Sequence, residues 1–202
     1  MAQRRSQLVD AALAVAASEG IAAATVRRVA EQAGVALGVV HYCFTDKDEL
    51  FDALAKRIVD ELTGAGAAAL DDAPDVGTAL GAAVGAMWDR IEASAGAQLL
   101  TYEITTHALR SPELRGVAER QYAASQAAAE QLLTLAAEAA GATWDRPVPE
   151  LAAEALAFVD GVTLRWLVDG DGAAARARLA SFAGYLATRA SGRRRRPKRS
   201  AS

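Results

Sequence analysis

The chain has one cysteine and two histidines in 202 residues. A single thiol excludes an internal disulfide framework and a cysteine-built zinc site. Two imidazoles leave little for a histidine-rich metal centre. No apolar run reaches the ~18 residues of a membrane span. The opening MAQRRSQLVD lacks the apolar stretch of a secretory signal. The expectation is a soluble, cytoplasmic chain with no membrane partner. Catalytic signatures are missing too. There is no G-x-S-x-G, no P-loop, no Rossmann glycine pattern, no E-x-x-H pair and no Cys–His dyad. With no nucleophile beside a base, no enzyme and no cofactor are expected. Proline is scarce, at five residues, whereas alanine supplies 51. Alanine is the best helix former, so an all-α fold is expected.

The net charge of −3 is unevenly spread. Residues 1–60 carry seven Lys/Arg against eight Asp/Glu, and residues 61–192 carry nine against seventeen. The stretch 193–199, RRRRPKR, adds six positive charges. It is too charged to fold alone and is read as a disordered basic arm. Two roles are open for it: nonspecific contact with phosphates, or a solubilising end.

Helical periodicity begins at once, with Leu8, Ala12 and Val15 on one face. Gly20 suits a helix end. Thr25 stands as an N-cap for a short helix, Val26 to Gln32, which Gly34 breaks. A second short helix spans Ala36 to Cys43. Asp46, with Glu49 in the box position, caps a longer one from Lys47 to about Thr63. Gly64 to Asp75 reads as a connection. Longer helices are expected near 76–93, 97–109, 112–140, 149–168 and 172–190, with Pro112 and Pro149 in first turns. Gly161 and Gly184 inside the last two suggest close helix approach. Nothing reads as a strand.

Residues 26–45, VRRVAEQAGVALGVVHYCFT, carry the most information. A helix-turn-helix needs a small residue where two helices cross, then a glycine where the turn takes positive φ, with apolar positions around both. Ala30 and Gly34 fill the first two roles, and Val29, Ala33, Val35 and Val40 the rest. The second helix would enter a major groove of double-stranded DNA and present Ala36, Leu37, Gly38, Val39 and His41. That surface is small and apolar, which suits contact with thymine methyls and close backbone approach at Gly38. Phosphate contacts are expected from Thr25, Arg27, Arg28, Tyr42 and Lys47. Cys43 is a candidate redox sensor or a small apolar filler.

From about residue 4 to residue 54 the sequence resembles the TetR family of transcriptional regulators. The likeness rests on LVDAALAVAASEGIAAATVRRVAEQAGV followed by HYCFTDKDEL. Two positions depart from the family's habit: Ala36 stands where Ser or Thr usually opens the recognition helix, and His41 where Tyr is usual. Residues 150–190, through FVDGVTLRWLVDGD, also look like the C-terminal domains of the choline-responsive BetI-type branch. The resemblance implies an all-helical homodimer with a DNA-binding head (1–46), a ligand-binding and dimerisation domain (47–191) and the basic tail (192–202). It further implies that a small-molecule effector shifts the fourth helix and releases a palindromic operator. An activator, a broad DNA binder or, on the helical pocket alone, a carrier or enzyme are the alternatives.

The same resemblance puts the last two long helices at the dimer interface, with Leu156, Gly161, Leu164, Leu179, Phe182 and Leu186. Tyr102, Glu103, Thr106 and His107 are either polar anchors of a ligand pocket or satisfied internal and surface pairs. A metal site at Glu103 and His107 would need further ligands. Met87, Trp88, Tyr122, Phe158 and Trp166 either line that pocket or are plain core. Arg165 is a pocket or interface cation, or the partner of Asp160 or Asp169.

Overall fold

The computed structural model describes residues 2–70, 73–111 and 114–192. Pro112 and the basic arm lie outside the described residues, and so does the side chain of Lys47. The elements run in order: α1 (Ala2–Glu19), a 3-10 turn (Ile21–Ala23), α2 (Val26–Ala33), α3 (Leu37–Cys43), α4 (Lys47–Ala68), α5 (Val76–Ala93), α6 (Ala95–Arg110), α7 (Arg115–Ala139), β1 (Ala142–Trp144), α8 (Val148–Asp169), α9 (Gly172–Ala187) and β2 (Ala190–Gly192). The architecture is all-α apart from one small ribbon.

Local chemistry explains most of the boundaries. Side-chain oxygens of Thr25, Asp46, Asp75 and Asp171 accept from the backbone N–H groups of Arg28, Glu49, Thr78 and Ala174. Each satisfies a donor that a helix start leaves unpaired. Gly170 ends α8 at φ 71°.

Two expectations need correction. First, α4 does not stop at Thr63 but runs to Ala68. Gly66 is not a breaker there. A Cβ on it would stand 3.1 Å from Met87 Cγ and 3.2 Å from Leu132 Cδ2, so the glycine lets α4 press on α5 and α7. Second, strands are present. β1 and β2 pair antiparallel, Thr143 opposite Ser191, and the Trp144 indole N–H donates to the Leu133 carbonyl at 3.1 Å. Three-residue strands are too short to display a period-two pattern. The close approach expected at Gly161 and Gly184 is not made within the chain, since a Cβ on either would meet nothing within 4 Å.

Burial falls into three clusters. The first joins Leu8, Val29, Val40, Phe44, Phe51 and Leu54 of α1–α4 to Leu100 and Ile104 of α6. The second gathers Leu80, Leu133, Leu151 and Leu186. The third surrounds Trp88 and Trp166, which meet edge to face at 5.2 Å. Both α4 and α6 therefore pack into the N-terminal cluster at one part of their length and continue into the body.

Candidate functional site

The α2–α3 pair is built around Gly34, at φ 65° and ψ 36°. Its N–H and that of Val35 both reach the Ala30 carbonyl, closing the end of α2. This left-handed conformation suits glycine because a Cβ would crowd the following carbonyl. Ala30 is buried in the crossing and Val40 is 1% exposed. The outer face of α3 is left to solvent: Ala36, Leu37, Gly38, His41 and Tyr42 are all exposed, Tyr42 at 72%. Val39 differs from its sequence assignment. It is half-buried and packs on the N-terminal core, one helical step from the outward residues.

The surrounding polar groups differ in freedom. Thr25 spends its hydroxyl on capping α2. Arg28 is held by Glu19 at 2.7 Å, and the pair raises the guanidinium pKa further. Arg27 reaches only Glu31 at 3.3 Å and stays open to solvent. Such an exposed pair contributes little. Sequence reading missed Arg5. Its Nη1 donates to the Cys43 carbonyl at 2.7 Å and to Glu49 at 2.6 Å, and its guanidinium lies 4.4 Å from the Phe44 ring centre. Arg5 thereby pins α1 to the end of α3 and the start of α4. The N–H of Thr45, then Arg5, hold the Glu49 carboxyl below the usual carboxylate range.

The body contains a partly open cavity of about 180 Å³. Its walls come from α4 (Ala55, Ile58, Val59, Leu62), α5 (Val84, Met87), α6 (Gln98, Thr101, Tyr102), α7 (Gln121, Tyr122, Leu132) and α8 (Leu156, Val159, Asp160, Thr163). Polar side chains interrupt the mostly apolar lining, and three of them cluster at Asp160. The Tyr102 hydroxyl donates to the Asp160 backbone carbonyl and the Tyr122 hydroxyl to Asp160 Oδ2, both at 3.0 Å. Burial pushes all three groups upward. Tyr102 is raised, Tyr122 is pushed up to about 12 by burial and by the Asp160 charge, and the Asp160 carboxyl rises despite the Tyr122 hydrogen bond. Gln121 Nε2 donates to the Thr101 carbonyl at 3.3 Å, which leaves Gln121 Oε1 buried with no partner.

Of the nine candidates, Met87, Tyr102 and Tyr122 line this cavity and the other six do not. Trp88 and Trp166 meet edge to face in the core behind it. Phe158 is half-buried against the Trp88 cluster and stacks on Phe182 at 4.2 Å. Glu103 accepts from the Ile21 N–H at 2.9 Å, bridging α6 to the N-terminal unit. Thr106 bonds back to the Tyr102 carbonyl, and His107 meets Phe51 edge-on at 6.3 Å. Helix α6 turns Thr101, Tyr102 and Thr105 to the cavity and Glu103 and His107 to the N-terminal unit. A four-residue spacing names a face but not what lies opposite it. Asp160 was overlooked because its neighbour Arg165 offered a simpler use for it; Arg165 pairs with Asp169 at 3.1 Å instead. An acid inside the apolar run FVDGV was the available signal. Among the described residues no group of three His, Cys, Asp or Glu could hold a metal ion.

The interface candidates divide as well. Leu179 and Leu186 are 3% and 4% exposed, facing the chain's own core, and Leu156 lines the cavity. Gly161 and Leu164 lie outward, Phe182 is half-buried, and Val168 and Tyr185 extend the same apolar face.

An outward-facing helix-turn-helix joined to a hollow helical body is the architecture of a DNA-binding regulator. Residues 8–54 match the family model described as bacterial regulatory proteins, tetR family. The regulator BetI of Burkholderia thailandensis is 30% identical over 174 residues, 83% of each chain. The nicotine-responsive transcriptional repressor HdnoR of Paenarthrobacter nicotinovorans is 28% identical over 166 residues, 82% of this chain and 84% of its own. A crystal structure of a transcriptional regulator from Rhodococcus sp. RHA1 superposes with a TM-score of 0.70 at 26% identity, over 92% of this chain and 97% of that one. The chain belongs to the TetR family and is a transcriptional regulator. Among the described residues no helix is long and apolar enough to cross a membrane.

Proposed function

We propose that this regulator is a homodimeric repressor that leaves a palindromic operator when a small molecule enters the body cavity. The observation that carries the reading is the exposed face of α3, held outward by the Gly34 turn and the Arg5 clamp. Residues 1–46 form the head. Ala36, Leu37, Gly38 and His41 meet base edges by methyl contact and close backbone approach. Tyr42, Arg27, Lys47 and the backbone at Thr25 meet phosphates, with Arg28 following once Glu19 lets go. Residues 47–191 form the effector and dimerisation part. The apolar strip of Gly161, Leu164, Val168, Phe182 and Tyr185 is the face that meets a second copy.

Helix α4 supports the coupling. Leu50, Phe51 and Leu54 sit in the head core, while Ala55, Ile58 and Leu62 wall the cavity one to three turns on. A ligand that favours a shifted α4 changes the separation of two recognition helices that must span half-sites one turn apart. A relative named as a nicotine-responsive transcriptional repressor supports a repressor that answers to a small molecule.

The test is fluorescence anisotropy with a palindromic fragment from the gene's own upstream region. The wild-type chain binds it far more tightly than scrambled duplex, and Tyr42→Ala loses at least tenfold. Equal affinity for both duplexes overturns the proposal.

A further inference from the structure

The effector chamber holds an acid and no base. Its walls include Asp160 but no lysine, arginine or histidine. Among the described residues no cationic nitrogen lies within 4.0 Å of the Asp160 carboxylate, since Arg165 turns to Asp169. The carboxylate receives one hydrogen bond, from Tyr122. Gln121 is 9% exposed, and its orphaned oxygen adds a second acceptor. The amide cannot profitably reverse, because Oε1 would then face the Thr101 carbonyl in place of the donor. A buried acceptor without a partner is costly, and the half-buried Asp160 carboxylate is satisfied best by a charge-assisted donor. The Tyr122 phenol stands at this carboxylate and the Tyr102 phenol at the Asp160 backbone carbonyl, and aromatic faces attract a cation.

Resting on the reading of this cavity as the effector site, we propose that it takes a small, mostly apolar molecule with one protonated amine, the ammonium held by Asp160 and Gln121. The remaining walls are mostly aliphatic, with neutral polar groups from Gln98, Thr101, Thr105, Ser125 and Thr163. The volume of about 180 Å³ compares with the ~150 Å³ apolar cavity that accepts a single benzene ring. An anionic ligand would meet Asp160 with nothing to offset its charge.

Three probes of one frame test this: phenethylammonium, the neutral n-propylbenzene and the anionic 3-phenylpropionate. Binding to the full chain is measured by equilibrium dialysis. Phenethylammonium binds at least tenfold tighter than the other two, and Asp160→Asn collapses that ratio toward one. Gln121→Leu, which removes the second acceptor, reduces the ratio by a smaller factor. Equal binding of all three, a preference for the anion, no binding by any, or an unchanged ratio in a folded Asp160→Asn each overturn the inference. If the variant does not fold, the wild-type ranking alone decides. Operator affinity of the wild-type chain is measured in parallel. A chain that binds operator but does not favour the amine defeats this inference only, and one that binds no operator defeats the regulator reading only.

Discussion

Gly96 offers the sharpest structural test of how the N-terminal unit is seated on the body. It stands in the first turn of α6, where a Cβ would overlap the Ala17 carbonyl oxygen and lie 3.1 Å from the carbonyl carbon and 3.4 Å from the Ala17 Cβ. The obstacle is the backbone of α1, which has no rotamer to yield. Gly96→Ala therefore forces α6 away from α1, against neighbours such as Ala97, Leu100 and Ile104 that are buried in the shared core. Overpacking of this kind costs about 1–3 kcal/mol. Replacing glycine by alanine in a helix returns up to about 1 kcal/mol. With overpacking at the middle of that range, the net is a loss of about 1 kcal/mol, or about 2–4 °C in Tm for a chain of this size. Thermal melts followed by circular dichroism at 222 nm read this directly. Gly81→Ala, where a Cβ meets nothing within 4 Å, is the control. It keeps only the helical gain and raises Tm by about 2–4 °C. A Gly96→Ala chain that melts at or above wild type would refute the α1–α6 contact.

Gly34→Ala places a side chain at φ 65° with open space around it, so the cost is backbone strain alone, about 1–2 kcal/mol in urea unfolding. Thr25→Ala removes the α2 cap at about 1 kcal/mol by the same measurement. Leu164→Asp with Val168→Asp, both exposed in the single chain, converts dimer to monomer in sedimentation velocity if this face is the interface. Acid also separates the carboxylates. Asp160 sits above the ordinary carboxylate range, so its unfavourable contribution at neutral pH is relieved as pH falls through its folded value. Glu49, Asp75 and Asp169 sit below that range, and their stabilisation is lost as pH falls through their lowered values. Asp160→Asn accordingly melts above wild type at pH 7, with the advantage shrinking toward acid; no difference between the two pH values would contradict the burial of that carboxyl.

The head was legible because its signals are local. A hydroxyl cap at Thr25, a left-handed glycine at Gly34 and a carboxylate cap at Asp46 act within four residues, so spacing alone locates them. The long helices were legible from alanine content and first-turn proline. What the sequence concealed is long-range. The end of α4 depends on Met87 and Leu132 pressing on Gly66. The ribbon depends on Trp144 reaching Leu133. Glu103 and His107 were placed on the right helix but serve the head junction, because only the packing of α1 and α4 decides which face of α6 is hollow. Asp160 was hidden by an equally good local partner for Arg165.

In the proposed function, α3 reads duplex DNA. Selection of bound duplexes from a randomised pool by the full chain measures this most directly. Enriched sequences are expected to share an inverted repeat with half-site centres about 34 Å, one helical turn, apart, and Tyr42→Ala and Leu37→Asp are expected to abolish the enrichment. Recovery of random sequence by the wild-type chain would contradict the claim.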